Sequence, residues 1–220
     1  MLETKKILLL GTGGHCNSVL DSLLTTAQYN TIGIVSKEEN NTRNNHSSVM
    51  GIPIVGDDSN LVQLYSKGYT DAFIAIGSIG DVTLRKRLYE LVKKIGFHVP
   101  NIIDKTSIIS DYAKLGEGIY IGKNVVINAN TNIGDCAIVN TSSVIEHECY
   151  IGDFVHIAPG TILGGNVRVG SCAHIGMGSL LKQGINIGSN TMIGMGSVVL
   201  RDIEENVVAY GNPCREENHE

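Results

Sequence analysis

Aliphatic side chains recur every six residues through the C-terminal half of the chain. From residue 109 to residue 199, sixteen consecutive positions at this spacing are Ile, Leu or Val, without a slip in register. A helix would repeat its apolar face at three and four residues, and a simple strand would alternate every two. The period of six therefore predicts a short strand and a turn, repeated along the chain.

Two further positions accompany this aliphatic series. Glycine often follows the aliphatic residue directly, as at Gly134 and Gly152, and a small or β-branched residue lies four positions after it, as at Thr131 and Ser143. One unit cannot bury its own apolar side, so such units stack into a solenoid, and we expect the glycines to supply turn conformations. With three units to a coil, residues eighteen apart lie above one another.

The N-terminal part shows strands that alternate with helices. Apolar runs predict strands at residues 6–10, 31–35 and 71–76. Helical spacing predicts helices at residues 17–27, 61–67 and 82–95, the last with Leu84, Leu88, Leu91 and Val92 on one side. This alternation indicates a small parallel α/β sheet. The Asn- and Ser-rich segment 40–48 is predicted to be an exposed loop.

Composition narrows the possible functions. The chain has 220 residues, 26 glycines, no tryptophan and a formal net charge of −5. A general nucleic-acid-binding protein would carry a basic surface, so we expect none. No apolar run reaches the length of about 18 residues that a membrane span needs, and no signal peptide is predicted. Five scattered cysteines without a CxxC pair indicate reduced thiols in a cytoplasmic protein.

The glycine-rich turn at residues 11–15 lies between a predicted strand and a predicted helix. Backbone N–H groups point outward from such a turn and bind phosphate groups. The dinucleotide fingerprint would have a third glycine at Cys16 and an acid at Ser36, so an NAD enzyme is disfavoured. A nucleotide diphosphate is the better interpretation, and a tight turn without a ligand is the alternative.

The polar segment 140–149 carries the candidate catalytic residues. His147 comes two residues after the inward Ile145, close to a turn, and is flanked by Glu146 and Glu148. A carboxylate beside an imidazole holds one tautomer and stabilises the protonated form. A general base for an attacking amine or hydroxyl needs this arrangement. A solvated surface histidine between acids is the alternative.

Residues eighteen positions apart are expected to lie side by side on successive coils, which shows what surrounds His147. Gly165 falls on the next coil beside His147, where its missing side chain leaves room for a thioester and exposes backbone N–H groups to an oxyanion. His156 and His174 are expected to stack on one outward face below Met192 and to line a groove for the acyl donor. A metal pair is the alternative, but no third ligand of suitable spacing is evident, and we expect no metal.

Two repeated Ile-Gly-Met-Gly-Ser segments, at 175–179 and 193–197, place Met177 and Met195 eighteen residues apart. Small residues and backbone amides on successive coils suit a pantetheine arm, although the glycines could serve the turns alone. The ending at 207–215 leaves the repeat and is predicted to cover the end of the solenoid.

Segments 140–152 and 11–15 together resemble the PglD/NeuD family of bacterial sugar acetyltransferases, over nearly the whole chain. The resemblance implies a small Rossmann-like parallel α/β domain at residues 1–104, which binds a nucleotide sugar. It implies a left-handed parallel β-helix with a C-terminal cap at residues 105–220, which uses acetyl-CoA. It also implies a homotrimer, with each active site between neighbouring solenoids.

The resemblance assigns roles to individual residues. His147 is implied to accept the proton, and Glu148 to raise its basicity. His156 is implied to contact acetyl-CoA, with Met177 and Met195 along the same molecule. The residues implied for the nucleotide sugar are Gly13, Gly14, His15 and Gly77, with Ser36 and Lys37 where relatives carry an aspartate.

We therefore expect acetyl-CoA-dependent N-acetylation of a UDP-linked 4-amino-6-deoxy sugar for bacterial glycan biosynthesis. The amine is expected to attack the thioester directly, without an acyl-enzyme. Two alternatives are O-acetylation of a sialic-acid-like sugar and a noncatalytic scaffold that binds a nucleotide sugar.

Overall fold

The computed structural model of the chain describes residues 5–37 and 47–217. It divides into two compact units, the first formed by Met1–Gly77 and Thr83–Ile102 and the second by Ser78–Val82 and Ile103–Glu220. The short segment Ser78–Val82 therefore belongs to the second unit, although the chain around it belongs to the first. Most of the predicted loop at 40–48 lies outside the described residues, and Ser48 begins a strand.

The first unit is a parallel α/β sheet with helices, as predicted. Its elements are β1 (Lys6–Leu10), α1 (Gly14–Thr26), β2 (Thr31–Val35), β3 (Ser48–Val49), β4 (Ile52–Gly56), a 3₁₀ turn (Asp58–Asn60), α2 (Leu61–Ser66), β5 (Asp71–Ile74) and α3 (Thr83–Ile95). The strand order is β3-β4-β2-β1-β5. All pairs are parallel except β3 with β4. Strand β1 pairs with a parallel strand on each side and is almost fully buried, which explains its continuous apolar sequence.

Three sequence-based expectations need correction in this unit. Helix α1 begins at Gly14, three residues before the predicted start, because the glycine turn itself supplies the N-cap at Gly13. Strands β3 and β4 were not predicted, since Pro53 interrupts the apolar pattern of β4 and argues against a strand. Leu84 was expected on the buried side of α3 but is 43% exposed.

The second unit is a parallel β-helix built from very short strands. Its strands are β6 (Ile102–Ile103), which begins in the first unit, then β7 (Ile108–Ile109), β8 (Lys114–Leu115), β9 (Tyr120–Ile121), β10 (Val126–Ile127), β11 (Asn132–Ile133), β12 (Ile138–Val139), β13 (Val144–Ile145), β14 (Tyr150–Ile151), β15 (His156–Ile157), β16 (Ile162–Leu163), β17 (Arg168–Val169), β18 (His174–Ile175), β19 (Leu180–Leu181), β20 (Asn186–Ile187), β21 (Met192–Ile193), β22 (Val198–Val199), β23 (Val208–Gly211) and β24 (Cys214–Glu216). From β9 to β19 each strand pairs with the third strand before and after it, as β10 pairs with β7 and β13. This pairing confirms the triangular coil predicted from the period.

The aliphatic series fills the interior of the solenoid. Of its sixteen members, all described, those from Ile121 to Val199 are buried, whereas Ile109 and Leu115 are only partly buried. These two belong to the first coil, and a terminal coil packs against a neighbour on one side only. The antiparallel pair β23–β24 follows the last coil, as expected for a cap, and its Cys214 belongs to the same core.

The buried small residues also connect successive coils. The Thr131 hydroxyl donates to the carbonyl of Glu146 at 3.0 Å, and the Ser143 hydroxyl donates to the carbonyl of Ala158, also at 3.0 Å. The Cys149 thiol makes the same contact with Gly164 at 3.3 Å. A buried hydroxyl needs a partner, and these carbonyls provide one. Ser, Thr and Cys therefore suit this position by hydrogen bonding as well as by size.

The glycines that follow the aliphatic residues are required for space. A Cβ at Gly152 would lie 2.6 Å from the backbone nitrogen of Ser171 on the next coil, and one at Gly164 would lie 2.7 Å from that of Gln183. The left-handed turn conformations occur elsewhere in the repeat, at positions such as Asn130 and Asn166. The turn role expected for the first set of glycines was therefore wrong.

Within the described ranges, no helix combines the length and apolar character needed to cross a bilayer.

Candidate functional site

His147 and Glu148 form a hydrogen-bonded pair on the turn between β13 and β14. The Nδ1 atom of His147 lies 3.1 Å from Oε2 of Glu148. Because a carboxylate only accepts hydrogen bonds, Nδ1 carries the donated proton, and in the neutral ring Nε2 then has the lone pair. The two side chains are 60% and 59% exposed. The pair therefore presents a basic nitrogen to an incoming molecule.

Glu148 occupies a backbone conformation that is unfavourable for glutamate. Its φ is 61°, in the left-handed region. The matching turn positions one coil before, one coil after and two coils after hold Asn130, Asn166 and Gly184, which tolerate this region well. Cysteine and phenylalanine residues also adopt this conformation at other turns of the solenoid. What distinguishes Glu148 is therefore its contact with His147, and its backbone adds a cost to the fold.

We expect Glu148→Asn to stabilise the fold by about 1 kcal/mol, because asparagine adopts the left-handed conformation at lower cost. The same change should lower kcat/KM, since the acceptor for His147 Nδ1 is lost. Urea unfolding and steady-state kinetics measure the two effects. Glu148→Gln is the matched control, because it removes the charge and keeps the strain. A Glu148→Asn variant that is less stable than Glu148→Gln would contradict the strain argument.

Gly165 lies directly against the His147 ring. A Cβ at Gly165 would stand 2.6 Å from both Cε1 and Nε2 of His147. The backbone there is held in place, because the N–H of Asn166 donates to the carbonyl of His147 at 2.8 Å. The predicted crowding is thus confirmed, and glycine is required at this position for the ring to keep its place.

His156 and His174 stack on the eight-stranded sheet, as predicted. They pair in register, with Met192 on the next strand. Their ring centroids are 4.9 Å apart, in an edge-to-face arrangement. Burial lowers the pKa of His174, which keeps that imidazole neutral near pH 7.

The orientation of His156 is set by a segment that the sequence analysis did not connect with the site. Its Nδ1 lies 2.8 Å from the carbonyl oxygen of Ser78, within the same unit. Nδ1 must therefore donate, which leaves Nε2 as the acceptor, 3.4 Å from Nδ2 of Asn140. The repeat carries no signal for this contact, because residues 78–82 lie outside it.

The remaining predicted acyl-donor residues lie along one edge of the solenoid. Met177 and Met195 are both exposed. The N–H of Gly196 donates to the carbonyl of Met177 at 2.8 Å, which joins the two repeated segments on successive coils. In the described part of the chain, no three His, Cys, Asp or Glu side chains are grouped as metal ligands would be.

The glycine turn of the first unit forms an open helix N-terminus. Within the described residues, the N-cap Gly13 of α1 makes no side-chain capping bond. A Cβ at Gly13 or Gly14 would meet no described atom within 4 Å. Gly77 packs closely on His15, since its Cβ would lie 3.3 Å from that of His15. A helix N-terminus with open space before it suits a phosphate.

Ser36 and Lys37 lie at the end of β2, beside a pocket of the same unit. Ser36 is buried, and its hydroxyl lies 3.3 Å from that of Thr12. Asp58 and Arg87 also line this pocket, and the sequence analysis missed both. They look like ordinary surface charges in the sequence, and only the packing of α3 near the 3₁₀ turn brings them together.

Two known family models match this sequence, one in each unit. Residues 6–92 match the family model described as PglD N-terminal domain, and residues 98–207 match the model described as GMPPB C-terminal domain. Among curated proteins, none matches the sequence significantly.

Several solved structures match nearly the whole chain. A histidine-to-asparagine variant of perosamine N-acetyltransferase from Caulobacter crescentus, in complex with CoA and GDP-perosamine, is 34% identical, with 99% of each chain covered and a TM-score of 0.90. The acetyltransferase domain of PglB from Neisseria gonorrhoeae, in complex with acetyl coenzyme A, is 29% identical, with 97% of this chain and 100% of that chain covered and a TM-score of 0.89. WeeI from Acinetobacter baumannii, at 24% identity, 97% and 100% coverage and a TM-score of 0.84, shares the fold.

Proposed function

The chain belongs to the PglD/NeuD family of sugar acetyltransferases, and we propose that it transfers the acetyl group of acetyl-CoA to the amino group of a GDP-linked 4-amino-6-deoxy sugar. Its fold is that of the family, a Rossmann-like parallel α/β unit followed by a left-handed parallel β-helix. The observation that carries the proposal is the His147–Glu148 pair held against Gly165.

The nucleotide expected from the sequence is corrected. The analysis of the sequence favoured UDP, but the nucleotide sugar bound by the matching Caulobacter crescentus enzyme is GDP-perosamine. The proposal therefore takes GDP. N-acetylation is retained over O-acetylation, because that enzyme is an N-acetyltransferase.

The geometry supports direct transfer from the thioester to the amine. The amine nitrogen attacks the thioester carbonyl carbon, and Nε2 of His147 takes the proton that the nitrogen releases. The tetrahedral intermediate then expels the CoA thiolate, which recovers the proton from the imidazolium. Glu148 accepts from Nδ1 throughout and so stabilises the charged ring.

The other predicted contacts remain part of the proposal. Gly165 leaves room for the thioester, and His156, Met177 and Met195 line the acyl donor. In the first unit the diphosphate lies at the α1 N-terminus, at Gly13, Gly14 and His15, with Gly77, Ser36 and Lys37 nearby. The uncapped N-terminus supports the phosphate assignment.

A coupled assay of thiol release from acetyl-CoA tests the function. The acceptors are GDP- and UDP-linked 4-amino-6-deoxy sugars and, for the O-acetyl alternative, nonulosonic acids. We expect turnover with the GDP-linked amino sugar, and less with its UDP-linked counterpart. The proposal would be overturned if only a hydroxyl acceptor were acetylated, or if none of the acceptors were.

The homotrimer remains a proposal, supported by an aliphatic column on one outward face of the solenoid. The column residues are Ile108, Val126, Val144, Ile162, Leu180 and Val198. Ile108, Ile162 and Leu180 are exposed. The corresponding column on a neighbouring face holds Lys114, Asn132 and Arg168. A contiguous apolar patch of this kind marks a protein contact.

We expect Ile162→Asp to convert the trimer into monomers, because the change puts a charge in the middle of the aliphatic column. Light scattering coupled to size-exclusion chromatography measures the mass. Tyr150→Asp, at an exposed position on another face, is the matched control and should stay trimeric. A trimeric Ile162→Asp protein would show that this face is not the interface.

We place the reaction in the cytoplasm. All five cysteines lie in the described ranges and are free and buried, as expected for a protein of a reducing compartment.

A further inference from the structure

The pocket beside Ser36 has the composition of a nucleobase site. Its apolar lining comes from Leu10, Val35, Ile76, Leu84 and Leu88. It lies where the carboxyl ends of the parallel strands β1 and β2 face α3, the place where open α/β sheets bind ligands. Leu84 is 43% exposed, whereas Leu88, one turn further along the same side of α3, is buried. The Leu84 side chain is therefore available to pack against the face of a base.

The rim of this pocket carries a positioned carboxylate. Nη2 of Arg87 donates to Oδ2 of Asp58 at 2.9 Å, with side chains 49% and 24% exposed. This ion pair joins α3 to the 3₁₀ turn and fixes the direction of the Asp58 carboxylate. Each carboxylate oxygen has two lone pairs, so Asp58 can accept further hydrogen bonds while it is paired.

The neighbouring aspartate, Asp57, stabilises the 3₁₀ turn as its N-cap. Oδ1 of Asp57 accepts from the Ser59 hydroxyl at 2.6 Å and from the Ser59 backbone N–H at 2.8 Å. These hydrogen bonds hold the pKa of the Asp57 carboxyl below its ordinary value. Asp57 thus caps the turn, whereas Asp58 lies on the pocket rim.

We propose that Asp58 is the specificity-determining residue that selects guanine as the base of the nucleotide sugar. Guanine presents two adjacent donors on one edge, N1–H and N2–H₂, which match the two oxygens of a carboxylate. Uracil presents one donor between two carbonyl oxygens, and those oxygens meet a carboxylate as acceptor against acceptor. Adenine and cytosine each place a ring acceptor beside their amino group. The inference rests on the proposed function and supplies its choice of nucleotide.

The Asp58 carboxylate lies at the sheet edge where the dinucleotide fingerprint places its acid, although that acid contacts the ribose. That pattern places an acid at the end of the second strand, where this chain has Ser36 and Lys37. Strand β4 is the neighbour of β2, and Asp58 follows it. A carboxylate is therefore supplied to the same edge of the sheet from the next strand.

Binding of GDP and UDP to the full-length protein, measured by isothermal titration calorimetry, tests the inference. We expect the unmodified protein to bind GDP at least about 10-fold more tightly than UDP, and Asp58→Asn to lower GDP affinity by about 10- to 100-fold. UDP affinity should stay equal or rise, because the amide of asparagine offers uracil both a donor and an acceptor. Glu90→Gln, which removes an exposed acid elsewhere on α3, should bind as the unmodified protein does.

Arg87→Gln gives a second check, because it frees the Asp58 carboxylate without removing it. We expect a smaller loss of GDP affinity than in Asp58→Asn, with UDP affinity unchanged. Circular dichroism confirms that each variant is folded. An unchanged GDP-to-UDP ratio in folded Asp58→Asn, or no preference in the unmodified protein, would overturn the inference.

The outcomes separate this inference from the proposed function. Selective GDP binding that Asp58→Asn abolishes, without acetyl transfer to any acceptor, would retain the inference and reject the function. Equal acetyl transfer to GDP- and UDP-linked amino sugars would retain the function and reject the inference.

Discussion

We expect His147→Ala to lower kcat/KM by about 10²- to 10⁴-fold, the range typical of a lost general base. In the proposed reaction the imidazole takes the proton from the amine, and the Glu148 contact at Nδ1 leaves Nε2 of the neutral ring as the acceptor. Stability should change little, because the side chain is 60% exposed. Steady-state kinetics and thermal unfolding measure the two effects.

His98→Ala is the control for this experiment. It removes another exposed imidazole that is also paired with a carboxylate, in this case Asp71 at 3.4 Å, but in the first unit. Its acetyl transfer should match that of the unmodified enzyme. Rates in His147→Ala as high as those in His98→Ala would reject the assignment of the base.

Gly165→Ala should reduce kcat/KM by about 10²-fold, because a misplacement of about 1 Å at a reacting group costs that much. The added Cβ would occupy the place of Cε1 and Nε2 of His147. These atoms are at the far end of an exposed side chain, so the ring turns away and the fold is almost unaffected. The melting temperature should therefore stay close to that of the unmodified protein.

Gly152→Ala is the matched control, because its Cβ would meet backbone instead of a mobile ring. The clash with the nitrogen of Ser171 cannot be relieved by a rotamer change, and overpacking of this kind costs about 1–3 kcal/mol. We expect this variant to lose stability and to keep its activity per folded molecule. In a His147→Ala background, Gly165→Ala should add no further loss of activity. A large additional loss would mean that Gly165 acts independently of the ring.

Much of the catalytic arrangement follows from the sequence because the repeat is regular. Once the period of six fixes a coil, the placement of Gly165 beside His147 follows, as does that of His174 beside His156. The outward aliphatic column proposed as the trimer interface was present in the same pattern, immediately before every third inward aliphatic residue. The period of six concerns the inward positions alone, so it does not single out this outward column.

Contacts outside the repeat were not predictable in this way. Ser78 reaches His156 across a sequence separation of 78 residues, and no periodic signal relates them. The Asp58–Arg87 pair depends likewise on how α3 packs, which local spacing does not determine. Glu148 was predicted as a partner of His147, but its left-handed backbone became evident only from the φ angle.

The pairing of each strand with the third strand along the chain restricts how the length of this half of the protein can change. An insertion of six residues would keep the aliphatic side chains inside but move every later outward residue to a different face. His174 would then leave the face of His156, and Ile162 would leave that of Val144. Only gains or losses of a whole coil of eighteen residues preserve all three faces. Evolution of this solenoid in length is therefore expected to proceed in whole coils, with fractional changes confined to its ends.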